Sequence, residues 1–541
     1  MPSFYSRLNL SSSIFPFYTE AAGRSIMMPQ MDENWDRYNA ASTTKDKGVP
    51  QVFYMHNCVP IADGFQSISY DTQLSGMPGA TDFTTAYNLF DQNGAVYIFV
   101  PAAGKNYIYD GSVGSWKSYP FPAGAVEAAT LVTTAYVKGT TYILYAGYGC
   151  FKYTPSTTSF DSVTLTGLTI STIVSICSAN GYMIAASSNA VAWSSLTDPT
   201  NFTPSIQTGA GGGVVQDAKG EINFILTISD GWVAYCKNNI VGGQYTGNTA
   251  YPYIVKESSG SGGVDSIDKV AYQGTLPYHI ALTTAGIQQV TVGSCSPTFP
   301  ELSDFLTAQF FEDFNETSLT FSSQYLPGPL VVKLSVVSAR YIMISYGVNT
   351  GQFTHALVFD VMLNRFGKFK INHCSTFTYN NPLPSSSSVS YAALMGTPIS
   401  SLGNTTYRDL FTNFVVPSLP KKNVGFMGAD GTVYIVNFQV GENTADGVFL
   451  IGKFQLQRTS QIIHQRTSVE SIRSTNTFQM YLLPTFNGKD FAPAVPTVAN
   501  ESGTLERLYA KRFTATNISL LMMGAFNLTS IVAQFSAGGS R

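Results

Sequence analysis

Four carboxylates, Asp110, Asp198, Asp230 and Asp360, are the side chains of this sequence best placed to do chemistry, because each stands at or beside a strand-like apolar run. Two carboxylates facing each other across a sugar bond would make a glycosidase. Each of the four, however, occupies a position where Asp accepts backbone N–H groups and caps a tight bend, so the turn role is the expected one. The five histidines, His56, His279, His355, His373 and His464, never pair at metal-ligand spacing. No Gly-x-Ser-x-Gly elbow presents a serine nucleophile. The runs Gly209-Ala210-Gly211-Gly212-Gly213 and Gly260-Ser261-Gly262-Gly263 lack the Lys-Ser/Thr of a phosphate loop and read as plain loops. The expectation is a protein that is not an enzyme, with no catalytic residue, no cofactor site and no metal site.

The elements that must position these residues repeat along the chain. Ala356-Leu357-Val358-Phe359-Asp360 runs through a polar turn into Phe366-Gly367-Lys368-Phe369, a strand, turn and aromatic return. Tyr107-Ile108-Tyr109-Asp110 with Trp116, Phe151-Lys152-Tyr153 with Phe160, and Val191-Ala192-Trp193 with Phe202 follow the same form. Trp232-Val233-Ala234-Tyr235 is read as the end of a strand that begins near Ile222. X-Gly pairs such as Asn93-Gly94, Lys138-Gly139 and Asn180-Gly181 feed apolar strands, the hairpin signal. A repeat of about 40 residues matches one four-stranded blade, which cannot bury its faces without neighbours. Returns near residues 109, 151, 193, 235, 287, 359 and 434 predict an all-β fold, a β-propeller of about seven blades.

Composition sets the outer limits. The chain has 541 residues, enough for more than one folding unit, and only 12% are charged while 13% are aromatic. This excludes a disordered chain. Most of the rings are expected in blade cores, since they follow strand alternation. The formal net charge of −3 argues against general nucleic-acid binding. From Ile451 to Arg541 nine Lys and Arg meet four Asp and Glu, net +5, which leaves −8 on residues 1–450. A basic C-terminal unit on an acidic body suits docking to an acidic partner surface. Cys58, Cys150, Cys177, Cys236, Cys295 and Cys374 are scattered and read as buried small apolar residues of a reducing compartment. No signal peptide and no membrane-spanning helix is expected.

The chain divides into an N-terminal arm (1–50), the propeller (51–448) and a β-sandwich-like docking domain (449–541). Insertions interrupt the propeller near 300–333 and 375–420. The first holds the one short helix, expected from Pro300 to Phe314, where acids crowd the first turn. The second holds the Ser-rich loop Pro382 to Asn404, the expected contact segment.

Several segments in order resemble the tail nozzle proteins of short-tailed bacteriophages, also called packaged-DNA stabilisation proteins. They are Ala190-Val191-Ala192-Trp193-Ser194 with Asp198-Pro199 and Phe202; Asn238-Asn239-Ile240-Val241-Gly242-Gly243-Gln244-Tyr245; Thr284-Ala285-Gly286-Ile287; and a C-terminal stretch with Gly524-Ala525-Phe526-Asn527 and Gly538-Gly539-Ser540-Arg541. The resemblance covers about residues 52–541 and leaves the first 50 unmatched. It implies a virion tail protein, assembled in the host cytoplasm. Its implied partners are five further copies in a homo-hexamer, a portal-adaptor ring above, and tail fibres or tailspikes at the side. Genomic DNA would pass through the lumen without sequence-specific binding. The competing class is a receptor-binding or glycan-cleaving propeller.

Overall fold

The hairpin turns set the strand boundaries in the computed structural model. Lys138 and Gly139 have φ of 50° and 77°, and Asn180 and Gly181 have 50° and 87°, the consecutive left-handed residues that a two-residue hairpin requires. They join Val132–Val137 to Thr140–Tyr145 and Ile173–Ala179 to Tyr182–Ser187. The structure describes residues 3–9, 52–71, 85–380, 422–437, 447–471, 477–485, 495–497 and 505–537, with short breaks inside these ranges. The loop from Pro382 to Asn404 and the Asn93-Gly94 turn lie outside the described residues.

Strands joined in this way form up-and-down, four-stranded antiparallel sheets, so the fold is all-β and propeller-like. Sheet I runs from Tyr87–Phe90 to Ser115–Pro120, sheet II from Val132–Val137 to Ser159–Val163, and sheet III from Ile173–Ala179 to Gly211–Val214. Sheet IV runs from Ile222–Ile228 to Tyr253–Glu257 and sheet V from Val270–Ala271 to Cys295–Pro297. A further four-strand meander, Val331–Val336 to Arg365–His373, belongs to a larger sheet. Last comes a composite sheet: Ser375–Asn380, Lys422–Met427 and Val433–Asn437 receive Ser69–Asp71 as their fourth strand. Ser69 pairs there with Asn437, and Asp71 with Ile435.

Near-continuous apolar runs in the inner strands, such as Thr140–Tyr145, Tyr182–Ser187 and Gly231–Cys236, give each sheet two apolar faces, and successive sheets bury them against each other. Phe99 of sheet I packs with Ile143 and Tyr145 of sheet II; Ile184 of sheet III packs with Trp232 of sheet IV; Phe224 of sheet IV packs with Ala281 of sheet V. Leu334 and Leu357 of the meander meet Ile280 and Ile287 of sheet V, while its Phe369 meets Phe426 of the composite sheet. Phe377 and Ile435 of that sheet pack in turn with Ile98 and Tyr109 of sheet I, where the order began. Small polar side chains reinforce these contacts at the first strand of each sheet. The Ile176 N–H donates to Thr133 Oγ1 at 2.9 Å, Ser175 Oγ accepts the Ile225 N–H at 3.1 Å, and the Thr378 N–H donates to Asn88 Oδ1 at 3.0 Å. Buried hydroxyls and amides placed this way satisfy backbone groups that have no strand partner on that side.

Five expectations need correction, three of them within the sheet succession. The Trp232–Tyr235 segment does not end a strand from Ile222: the turn at Asp230-Gly231 splits it into Ile222–Ile228 and Gly231–Cys236, the first and second strands of sheet IV. The helix spans only Pro300–Thr307, and Phe310–Asn315 is a strand paired with Thr320–Tyr325. Consecutive aromatics at Phe310-Phe311 favour the extended chain. Gly211-Gly212-Gly213 is strand rather than loop, because it forms the outer strand of sheet III. A Cβ on Gly212 would lie 2.7 Å from Ala192 Cα, so only glycine permits this close pairing.

The C-terminal residues form long strands. Gly447–Ser471 and Leu505–Ala525, 25 and 21 residues, pair from Gly447↔Gly524 to Val469↔Leu505 with register shifts at Gly452/Phe454, Gln455/Ser460 and His464/Arg466, and neither contains proline. At about 3.3 Å per residue the shorter of the two reaches at most about 70 Å. Thr477–Thr485 and Asn527–Ala537 flank them, in one sheet with the meander rather than in the two facing layers expected of a sandwich. Residues expected to be a free N-terminal arm take part as well, since Ser3–Asn9 pairs with the last strand from Ser3↔Ser536 to Asn9↔Ser530. Val52–His56 pairs with the start of Gly447–Ser471. Tyr54, Val448, Leu450, Leu483 and Leu521 pack at that base.

Phe377, 2% exposed, lies where the composite sheet meets sheet I. Phe377→Ala should cost about 3–5 kcal/mol, read as a lower urea midpoint; a loss under about 1 kcal/mol would show that this contact does not hold the two sheets together.

Candidate functional site

Acid, base and hydroxyl side chains from separate strands meet around Asp313, on the strand Phe310–Asn315. Its Oδ1 is 3.0 Å from Lys370 Nζ and 3.3 Å from His355 Nε2, and it accepts the Tyr54 hydroxyl at 3.2 Å. These partners come from three other strands: Val52–His56, Phe353–Asp360 and Arg365–His373. Lys368, on the last of these, sets its ammonium 4.4 Å from the Tyr54 ring centroid, a cation held against an aromatic face. Arg365 lies 4.5 Å over the Phe65 ring and donates to the Ile61 carbonyl at 2.7 Å.

Burial would raise the Asp313 carboxyl, but hydrogen bonds and charge from His355 and Lys370 overcome it and hold the group well below the usual carboxylate range. His355 is pushed down to about 3, by burial first, against the pull of Asp313. At neutral pH its ring is therefore uncharged, with Nε2 3.3 Å from the carboxylate and Nδ1 2.9 Å from Thr354 Oγ1. Every member of the group thus holds another in place. Chemically this is a lock that fastens the hairpin of Phe310–Asn315 and Thr320–Tyr325 to the seam between the meander and the N-terminal strands.

Two further histidines are buried and neutral for the same reason. His279 Nε2–H donates to the Thr227 carbonyl at 2.8 Å while Nδ1 accepts from the Tyr235 hydroxyl at 2.8 Å. His373 Nδ1–H donates to the Ile371 carbonyl at 2.8 Å, and Nε2 lies 2.7 Å from Ser345 Oγ. That Ser–His contact is not a hydrolytic centre. Both residues are buried, and the far nitrogen meets a backbone carbonyl where a triad has a carboxylate. Burial sets both imidazoles at about 4.

The four sequence-selected carboxylates are not brought together: they sit on sheet I, beside sheet III, on sheet IV and on the meander. Asp360 is fully buried and takes Arg340 Nε at 2.8 Å, Arg340 Nη2 at 2.7 Å and the N–H groups of Met362 and Leu363 at 3.0 and 3.1 Å. Asp198 accepts the Thr200 N–H at 2.9 Å. Both are turn-forming carboxylates, as expected. Among the described residues no three His, Cys, Asp or Glu are grouped to hold a metal. The six thiols are free, and burial raises Cys150 and Cys236 to about 12. Sequence reasoning missed Asp313, because Phe310-Phe311-Glu312-Asp313-Phe314 was read as helical; the paired aromatics were the signal for a strand.

No known family profile and no curated protein matches the sequence. Two solved structures of the extracellular domain of BT4673 from B. thetaiotaomicron overlap it at 9% identity. One has a TM-score of 0.38 over 89% of this chain and 61% of that one. The other has a TM-score of 0.37 over 88% and 63%. The chain spans about three-fifths of the length of those two chains.

Burial lowers the folded-state pKa of His279 and His373 to about 4, whereas the unfolded chain takes up protons near about 6.5. The unfolded state therefore binds more protons below pH 6.5, and stability falls as pH drops through the window from about 6.5 to 4. At pH 5 each of the two should have lost about 2 kcal/mol relative to pH 7. Urea unfolding at the two pH values checks this, and an unchanged midpoint would refute it. Asp313→Asn should lower stability by about 1–3 kcal/mol, since it removes a charged acceptor from Lys370 and His355; hydrogen exchange of residues 310–325 should rise with it, and unaltered exchange would show that the carboxylate does not fasten the hairpin.

Proposed function

We propose that this chain is a non-enzymatic structural protein of a bacteriophage tail, forming a distal nozzle ring that retains packaged DNA and passes it on ejection. In this reading the four-stranded units are seven blades of one propeller, with Ser69–Asp71 completing the last blade. The long C-terminal strands form a docking unit, six copies surround the channel, the adaptor ring lies above and fibres or spikes attach at the side.

The observation that carries the reading is mechanical: a succession of tightly packed sheets whose last member packs on the first, continuous with a sheet whose longest strands have 25 and 21 residues. Such a body resists deformation, and the long strands offer reach for contacts between subunits. Low charge density supports it as well. A sparsely charged, net-negative body gives the phosphate backbone few places to bind, as a conduit requires. The resemblance in segment order adds the assignment to a tail.

Cryo-electron imaging of virions from the source tests this directly. Six copies around an axial channel at the tail tip are expected. Absence from the tail axis, or a peripheral place on fibres, would overturn the nozzle in favour of receptor binding, and hydrolysis of a soluble oligosaccharide by the purified chain would overturn the non-enzymatic assignment.

A further inference from the structure

The outer edge of sheet III differs from the other outer edges. Outermost strands elsewhere carry a charge or a proline: Lys117 and Pro120 in sheet I, Asp161 in sheet II, Lys256 and Glu257 in sheet IV, Pro297 in sheet V and Asp71 in the composite sheet. Such residues block the addition of another strand. Gly211–Val214 carries neither, and no described strand lies beyond it.

Its backbone polarity follows from the register. The Val215 N–H donates to the Asn189 carbonyl at 3.0 Å, which continues the pairing of Ala190↔Val214 through Trp193↔Gly211. Hydrogen-bonded pairs alternate along an antiparallel ladder. Gly211 and Gly213 therefore bond inward to Ala190–Trp193, and the N–H and C=O groups of Gly212 and Val214 point outward.

Beside this edge lies a cleft of about 270 Å³, lined in part by Trp193, Ile206, Ala210 and Thr249. That volume admits side chains and not only water, whose share is about 30 Å³. No lining residue is charged. Ile206, which lines it, is 81% exposed, Tyr251, next in sequence to the lining residue Ala250, is 74% exposed, and Val214 of the edge strand itself is 66% exposed. A charged segment would lose hydration here with nothing to replace it, whereas an uncharged, apolar one loses little. Glycine in the edge strand also lets another backbone come close.

We infer that the outer edge of sheet III is a docking site for an extended, uncharged segment of a partner polypeptide, which adds as a strand beside Gly211–Val214 and places an apolar side chain in the neighbouring cleft. Main-chain hydrogen bonds to Gly212 and Val214 set the register, and the cleft selects the side chain. The inference does not depend on the proposed place of the chain in a virion.

The probe is a fluorescein-labelled, C-amidated octapeptide of alternating valine and threonine, titrated against the full chain by fluorescence polarisation. Saturable binding is expected, together with slowed hydrogen exchange at Gly212 and Val214. Val214→Pro removes one outward N–H and leaves the inward ladder intact; Ile206→Lys places a charge at the cleft. Each should weaken binding at least about tenfold, or about 1.4 kcal/mol, without moving the thermal midpoint, and N-methylation of alternate peptide amides should do the same. No saturation up to about 1 mM, equal binding of the N-methylated peptide, or indifference to Val214→Pro would overturn the site. Self-association of the unaltered chain in sedimentation that Val214→Pro abolishes would overturn the partner and assign the edge to a second copy.

Discussion

Closure is the constraint on which the rest of the structure depends. A four-stranded sheet of this composition has two apolar faces, and burying one against its neighbour leaves the other to be covered by the next. Among the described residues the last sheet returns to the first, where Phe377 and Ile435 pack with Ile98 and Tyr109. Completing that last sheet needs Ser69–Asp71, drawn from early in the chain. Early and late segments are thus committed to each other before either sheet is whole, and long-range pairing of this kind makes folding slow but the product rigid.

Ordered packing of this density leaves little room for charge. Where the meander joins the N-terminal strands, the buried Arg365 and Lys368 lie on the rings of Phe65 and Tyr54, and the half-buried Lys370 lies on the Asp313 carboxylate. Desolvating an ammonium or guanidinium is tolerated only with such partners. The seam is polar because it joins two bodies of different geometry, the short strands of the sheet succession and the long C-terminal ones, and directional contacts fix their register where apolar packing alone would let them slide. Uncharged histidines serve the same end inside the sheets. His279 links Tyr235 to the Thr227 carbonyl, and His373 links Ser345 to the Ile371 carbonyl.

Much of the strand layout could be read in advance. Lys138-Gly139 and Asn180-Gly181 form the hairpins that an X-Gly pair announces, since the left-handed conformation is a local property of those residues. The returns expected near Tyr109, Phe151, Trp193, Ile287, Phe359 and Tyr434 each fall in the third strand of their unit. Tyr235 falls in the second strand of sheet IV, because Asp230-Gly231 turns the chain early. Less of the candidate site was legible. Turn roles for Asp198 and Asp360 followed from position, whereas the partners of Asp313 lie 42, 57 and 259 residues away at His355, Lys370 and Tyr54. No local pattern links them.

The sequence by itself determined what depends on near neighbours: the all-β class, the hairpins, the apolar runs that make sheets with two apolar faces, the capping role of Asp, and the basic balance of the C-terminal stretch. Tertiary structure alone decided what depends on residues far apart in the chain meeting in space. It placed Ser69–Asp71 in the composite sheet and Ser3–Asn9 beside Asn527–Ala537, turned Phe310–Asn315 into a strand, and gave sheet III an outer strand of glycine. The physical reason is the same in each case. Turn geometry and side-chain alternation are written into a few adjacent residues, whereas the partner of an edge strand or a buried charge is chosen by which backbone and side-chain groups remain unsatisfied once the sheets have packed.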